Sequence, residues 1–292
     1  ELNKPTLSQD LKINCDLKDF FNLINLNELK KDLKPNESTR LEWINWINNL
    51  KEKYNLYYDQ GNEANPKDKV NPYFFIHLLS KNLKEEDTII FADGTACVAG
   101  FQTAIIKKGQ RLYHNSGCAS MGYELPAAIG AYHATKKKIF CIAGDGSIMM
   151  NIQDLATISS GSLPIIIFIL ENEGYHSIRQ TQENFFPGRS VGCGSDSGLN
   201  FPDFKSLGEG FKIETIEVNK NEELKLAIDK SLKATHPLIV ILKLDKTIPF
   251  TPKVTSKKLE DGSMVTARLE DMSPFLPKEI HEEILKSANE IQ

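Results

Sequence analysis

Four stretches of this chain are apolar, strand-length and nearly uninterrupted: Thr88 to Ala92, Lys138 to Ala143, Pro164 to Leu170 and Pro237 to Leu244. Runs of this kind suit strands buried on both faces, because a strand with one wet face alternates apolar and polar residues. Helical patterns stand between them at 125–135, 151–160, 201–210 and 221–234, with a further strand at Lys212 to Val218. Strands alternating with helices predict an α/β fold, a parallel sheet with helices on both faces. In such sheets ligands bind beyond the carboxyl ends of the strands. Asp93-Gly94, Gly144 to Ser147 and Glu171-Asn172 all fall there.

The first 70 residues differ. They are polar and lysine-rich, and within them Glu37 to Tyr58 reads as an amphipathic helix, with Leu41, Ile44, Ile47 and Leu50 at near-helical spacing. Residues 58–66 read as an exposed connector. Asn71-Pro72 opens a helix that runs to about Leu83, with Pro at the first helical position. Beyond Thr251 the chain is polar and ends in a helix, a tail or lid over 251–292.

Composition serves mainly to exclude. The net charge of −4 gives no electrostatic reason to expect nucleic acid or an anionic membrane as partner. No apolar run reaches the ~18 residues of a membrane span. Five cysteines, Cys15, Cys97, Cys118, Cys141 and Cys193, form no C-x-x-C pair and read as reduced thiols of a cytoplasmic protein. The chain begins at Glu1 without a signal-like segment and is read as a piece of something longer.

The chemistry concentrates in Gly144-Asp145-Gly146-Ser147 and, 24 residues later, Asn172-Glu173-Gly174. Each follows a predicted strand, and parallel neighbours bring their carboxyl ends together. A carboxylate and an amide oxygen would then meet on one sheet edge, a donor set that suits Mg²⁺ bridging to phosphate oxygens. Gly144 and Gly146 allow a tight turn and close approach of backbone N–H groups to a phosphate, and the helix expected from Asn151 adds a positive dipole end. A Gly-Asp-Gly triplet alone is weak, since it also ends ordinary strands; its placement gives it weight.

Gly144-Asp145-Gly146 through Asn172 resembles the thiamine diphosphate (ThDP) motif. The segment Ser120-Met121-Gly122-Tyr123-Glu124-Leu125-Pro126-Ala127-Ala128-Ile129-Gly130-Ala131 is similar to the one preceding that motif in acetolactate synthases, and Asn151 to Ile158 to the helix that follows it. The resemblance covers residues 69 to about 243. It implies a diphosphate-binding domain at 69–250 in a ThDP-binding fold, a remnant of a middle domain at 1–35, and a helix and linker at 36–68. The family's N-terminal pyrimidine-binding domain has no counterpart in these residues.

The resemblance also implies roles. Asp145, the Asn172 side chain and the Gly174 carbonyl would hold Mg²⁺, and Gly144, Gly146 and Ser147 the diphosphate. Ala96 and Cys97 occupy the other diphosphate loop, where acetolactate synthases usually carry Gln-His. Met121 would wedge the cofactor into its bent form, with Ala119 and Ser120 beside the aminopyrimidine; Tyr175 begins the stretch that would line the substrate side of the cofactor, and Ile178 matches an apolar residue under it. His176 and Ser177 are the candidate catalytic residues: His176 as a proton shuttle, Ser177 with Thr181 as replacements for a Met and a Trp, which implies a more polar acceptor pocket. Arg179 would pair with a substrate carboxylate or lie solvated. The substrate would be a 2-oxo acid such as pyruvate. The whole protein would be a dimer or tetramer, with FAD as a further possible cofactor.

The family's activating glutamate lies in the pyrimidine domain, so this chain alone is expected to be inactive. Two other classes stay open: a nucleotide-binding α/β domain, against which no G-x-G-x-x-G or G-x-x-x-x-G-K-[ST] occurs, and a non-catalytic domain that kept the fold.

Overall fold

A computed structural model describes residues 10–24, 28, 36–53, 69–258, 262–266, 268–273 and 275–291. The connector expected at 58–66 and most of the 1–35 segment lie outside these. Two helices come first, α1 (Leu17–Leu23) and α2 (Glu37–Lys53). Then follow α3 (Pro72–Asn82), β1 (Thr88–Phe91), α4 (Thr95–Thr103), β2 (Arg111–Tyr113), α5 (Glu124–Thr135), β3 (Ile139–Gly144), α6 (Asp145–Ile148), α7 (Asp154–Ser160), β4 (Ile165–Glu171), α8 (His176–Phe185), α9 (Phe204–Gly210), β5 (Glu214–Val218), α10 (Leu224–Lys233) and β6 (Leu238–Lys243). A short antiparallel pair, β7 (Ser256–Lys258) with β8 (Met264–Thr266), and α11 (Lys278–Asn289) complete the chain.

The chain divides into two compact units, residues 1–54 with 276–292, and residues 55–275. In the smaller unit the Trp46 indole N–H donates to Ser287 Oγ at 2.9 Å. The apolar stripe read on α2 is there, but Leu41, Ile44 and Ile47 are exposed, and no residue of that helix is buried.

The larger unit is built on one parallel sheet in the order β2-β1-β3-β4-β6-β5. Both faces are covered, and the side-chain alternation shows how. Phe140, Ile142, Ile166, Phe168, Val240 and Leu242 point to one face, under α3, α4 and α10. Ile139, Cys141, Ile165, Ile167, Ile239 and Ile241 point to the other, under α5, α7 and α9. At ~2 kcal/mol per fully buried Ile or Phe, these strands carry a large share of the hydrophobic stabilisation. The start of α3 is set by Asn71, whose side chain accepts from Tyr73 N at 2.8 Å and Phe74 N at 3.2 Å.

Two local differences matter for the site. Gly94 to Cys97 is the first turn of α4 rather than a loop. Helical backbone also begins at Asp145 itself, as α6 followed by a 3₁₀ turn at Met149–Asn151, so the helix expected over 151–160 starts differently but ends, as expected, at Ser160. The sheet order places the change of direction between β1 and β3: the chain leaves β1 for β2 on one side and returns to β3 on the other. Crevices form at such points.

Candidate functional site

A cleft of about 240 Å³ opens at that switch point. Asp93, Gly94 and Thr95 line it from the end of β1, Gly144 to Ser147 from the end of β3, and Asn172 with Gly174 to Ile178 from the end of β4; Ala119 and Met121 close one side.

Register explains the meeting of Asp145 and Asn172. Gly144 pairs with Leu170, so both strands finish at one level. The Asp145 carboxylate is buried, and three backbone N–H groups donate to it: Gly146 at 2.7 Å to Oδ1, Asn172 at 2.9 Å and Gly174 at 3.1 Å to Oδ2. Burial nevertheless raises its pKa to about 7, against the lowering by those N–H groups. A divalent cation beside it would restore the ionised form. Asn172 Nδ2 donates to Thr95 Oγ1 at 3.2 Å, while Asn172 Oδ1 is buried with no protein partner among the described residues. A buried amide oxygen left bare beside a buried carboxylate fits a metal ligand set. No cluster of three or more His, Cys, Asp or Glu among the described residues is arranged for a metal, so an ion here would rest on carboxylate, amide and main-chain oxygens.

The glycines leave no slack. A Cβ at Gly146 would lie 2.3 Å from the Tyr175 ring, and one at Gly174, where φ is +142°, 2.0 Å from the Cys193 carbonyl oxygen. Ser147 is held as well: its hydroxyl accepts from Gly122 N at 3.0 Å and donates to Glu124 Oε2 at 3.0 Å. With its proton given to Glu124, Ser147 has only its main-chain N–H to offer a diphosphate.

The family model described as "Thiamine pyrophosphate enzyme, C-terminal TPP binding domain" matches residues 93–242, just over half of the chain. This chain belongs to the thiamine pyrophosphate enzyme family. Residues 93–242, which lie in the larger unit, match its C-terminal cofactor-binding domain. The chain is 31% identical over 221 residues to the acetolactate synthase large subunit of Corynebacterium glutamicum, covering 75% of this chain and 35% of that protein. It is 29% identical over 211 residues to the isozyme 2 large subunit of Escherichia coli, covering 70% and 36%, and 28% identical over 218 residues to acetolactate synthase 1 of Zea mays, covering 72% and 33%. The chain thus spans about a third of the length of the curated relatives it matches.

Of the residues read from sequence in this thiamine pyrophosphate domain, the cleft gathers Ala119, Met121, Gly144, Asp145, Gly146, Ser147, Asn172, Gly174, Tyr175, His176, Ser177 and Ile178. Met121 and Ile178 are each 41% exposed, two large apolar side chains facing an open cleft. Ala119 holds a left-handed φ of +52°, uncommon for a residue with a Cβ. Three residues stand apart. Ala96 is buried in the core, Cys97 packs against Ser116, and Ser120 is exposed off the lining. At the end of β1 it is Asp93, Gly94 and Thr95 that line the cleft, since α4 starts at Thr95.

Around Cys97 the structure builds a side-chain chain that the sequence did not reveal. Ser116 Oγ lies 3.0 Å from Cys97 Sγ, 2.9 Å from His114 Nδ1 and 3.1 Å from Asp93 Oδ1. Burial pushes the Cys97 thiol pKa up, the opposite of what a nucleophile requires.

On α8, His176 is buried, donates from Nε2 to the Ile248 carbonyl at 2.8 Å and stands edge-on to Phe250 at 4.7 Å. Burial lowers its pKa, and its Nδ1 has no hydrogen-bond partner among the described residues. That hydrogen bond fastens 245–253 beside the cleft, helped by the Tyr73 hydroxyl, 3.2 Å from both Pro249 O and Thr251 N. The start of the tail therefore flanks the site. Thr181 Oγ1 donates to the Ser177 carbonyl at 2.9 Å, which leaves Ser177 as the hydroxyl facing the cleft. Arg179 is neither solvated nor directed at the cleft: it is buried and donates to main-chain carbonyls.

Proposed function

We propose that this cleft binds the diphosphate end of ThDP through Mg²⁺, in an enzyme that decarboxylates a 2-oxo acid such as pyruvate and joins the fragment to an acceptor carbonyl. The observation that carries the reading is the pair at the strand tips: a buried Asp145 carboxylate with its pKa raised to about 7, next to an Asn172 amide oxygen with no partner among the described residues. Asp145, Asn172 and the Gly174 carbonyl would hold the ion. Gly144, Gly146 and Ser147 would lie along the diphosphate. Met121 and Ile178 supply apolar surface for the rings, and the Ala119 carbonyl an acceptor for the aminopyrimidine. When bound, ThDP supplies the carbon nucleophile and stores the electrons that decarboxylation releases.

The chain's own residues orient the substrate. His176, tied to Ile248, shapes the wall as a positioning residue, while Ser177 offers a hydroxyl where a polar acceptor would lie. A strict preference for pyruvate as acceptor in turnover assays would end the polar-acceptor reading. The pyrimidine half and its activating glutamate come from a further domain, so residues 1–292 by themselves turn over no substrate; the working unit is a cytoplasmic dimer or tetramer, with FAD as a possible second cofactor.

Calorimetry tests the binding claim. ThDP with Mg²⁺ binds, ATP and NAD do not, and Asp145→Ala removes the metal-dependent part. Unchanged ThDP affinity in that variant contradicts the assignment.

A further inference from the structure

Arg179 is a buried charge for which the reading above has no use. It is 7% exposed, and it makes no ion pair among the described residues. Burying a guanidinium is costly unless its donors are met. Here main-chain oxygens meet them: Nη1 donates to the Asn172 carbonyl at 3.2 Å, and Nη2 to those of Glu173 at 2.9 Å and Cys193 at 3.5 Å.

Two of the three belong to the proposed metal turn, and the geometry there is specific. The Glu173 carbonyl and the Gly174 N–H are the two ends of one peptide group. Arg179 holds the carbonyl end; Asp145 Oδ2 holds the N–H end at 3.1 Å. A guanidinium and a carboxylate thus grip one peptide dipole from opposite sides, in the sense that favours both contacts. The turn resists this conformation at Glu173, which sits at φ +62°, while Gly174 takes its φ of +142° without a Cβ penalty. The third carbonyl ties in the neighbouring loop, because Cys193 O also accepts from Tyr175 N at 2.9 Å and Gly174 bridges to Gly194. Packing against the guanidinium is tight: a Cβ at Gly194 would lie 2.8 Å from Nη2.

We infer that Arg179 is the positioning residue of the metal turn, fixing the 173–174 peptide and with it the ligands that the turn presents to the divalent ion. The inference rests on the Asp145–Asn172–Gly174 reading. Groups that orient metal ligands commonly govern affinity by about 10–100-fold.

The test is a Mn²⁺ titration of the intact protein with ThDP present, read by electron paramagnetic resonance, alongside near-ultraviolet circular dichroism of each variant. Arg179→Ala should raise the metal concentration for half-saturation by about 10–100-fold. Arg179→Lys should fall between, and added methylguanidinium should restore part of the loss in Arg179→Ala, which a generally loosened fold would not show. Gly194→Ala keeps the guanidinium but crowds both it and the Glu173 carbonyl it holds, at 2.8 and 3.1 Å, and should weaken metal binding several-fold, so the inference stays open to refutation even where Arg179→Ala does not fold. Half-saturation within twofold of wild type in folded Arg179→Ala, or in Gly194→Ala, overturns the inference. If Asp145→Ala loses the ion while the Arg179 variants keep it, only the clamp falls; if wild type shows no ThDP-dependent Mn²⁺ binding, the metal-site reading falls and the clamp with it.

Discussion

The two flanks of the cleft are built from different materials. On the β3–β4 flank the contacts run through backbone: three N–H groups converge on Asp145, and glycines at 146 and 174 leave no room for a side chain. On the β1 flank they run through side chains, from Asp93 through Ser116 to His114 and Cys97, with Ser116 and His114 exposed. Backbone geometry tolerates few sequences, whereas a side-chain network at a rim can be rewritten residue by residue. The first flank suits a cofactor that never changes, the second a substrate that does.

The largest effect should follow from a change to the rigid flank. Gly174→Ala places a methyl 2.0 Å from a carbonyl oxygen, at a φ of +142° that L residues rarely adopt. Strain of that kind costs about 3 kcal/mol, and the turn must move to relieve it. The variant is expected to lose metal-dependent ThDP binding in calorimetry and to melt well below wild type. Wild-type binding would show that the turn is softer than the comparison holds.

The same contrast explains what the sequence disclosed. The apolar runs were readable as strands because burial on both faces removes polar residues from Ile139 to Ala143 and from Ile165 to Leu170. Asp145 and Asn172 were readable because consecutive parallel strands fix the spacing between their tips. Edge strand β2 was not, being three residues long with Leu112 as its half-buried contribution. Helix α4 was hidden by Gly100, which packs against Phe91 so closely that a Cβ would lie 2.7 Å from the ring. Helix α8 carries no apolar stripe; the residues it buries are His176 and Arg179, whose partners are carbonyls that topology alone brings near. The stripe on α2 was legible, but it is not buried: Leu41, Ile44 and Ile47 are exposed and Leu50 is half-buried.

Glu124 ties the tip of β3 to the segment before α5, and its effect should be intermediate. It is fully buried, and it receives the Ser147 hydroxyl, which itself anchors Gly122 beside Met121. Burial raises its pKa above the ordinary carboxylate value, chiefly by disfavouring the charged form. An acid with a raised folded-state pKa contributes its stability below the unfolded pKa and loses it as pH rises through the folded value. Glu124→Gln removes that charge while keeping an acceptor for Ser147. Its melting temperature should exceed wild type by roughly 2–4 °C at pH 8, with the gap closing towards pH 5. A gap that is the same at both pH values would mean that Glu124 stays uncharged throughout and carries no such penalty.

Ser116→Ala should do least, and its smallness is informative. It removes a hydroxyl that touches three side chains, yet the residue is exposed, and water can replace what is lost. Net hydrogen bonds of this kind are worth about 0.5–1.5 kcal/mol, with exposed ones at the low end. The Ser116 N–H still reaches His114 Nδ1 at 3.2 Å, so the turn keeps one of its ties. Metal-dependent ThDP affinity should stay within about twofold of wild type, since no hydrogen bond among the described residues joins this network to Asp145 or Asn172. A tenfold loss would place the β1 flank inside the diphosphate cradle after all, and the division of the cleft into a fixed half and an adaptable half would have to be abandoned.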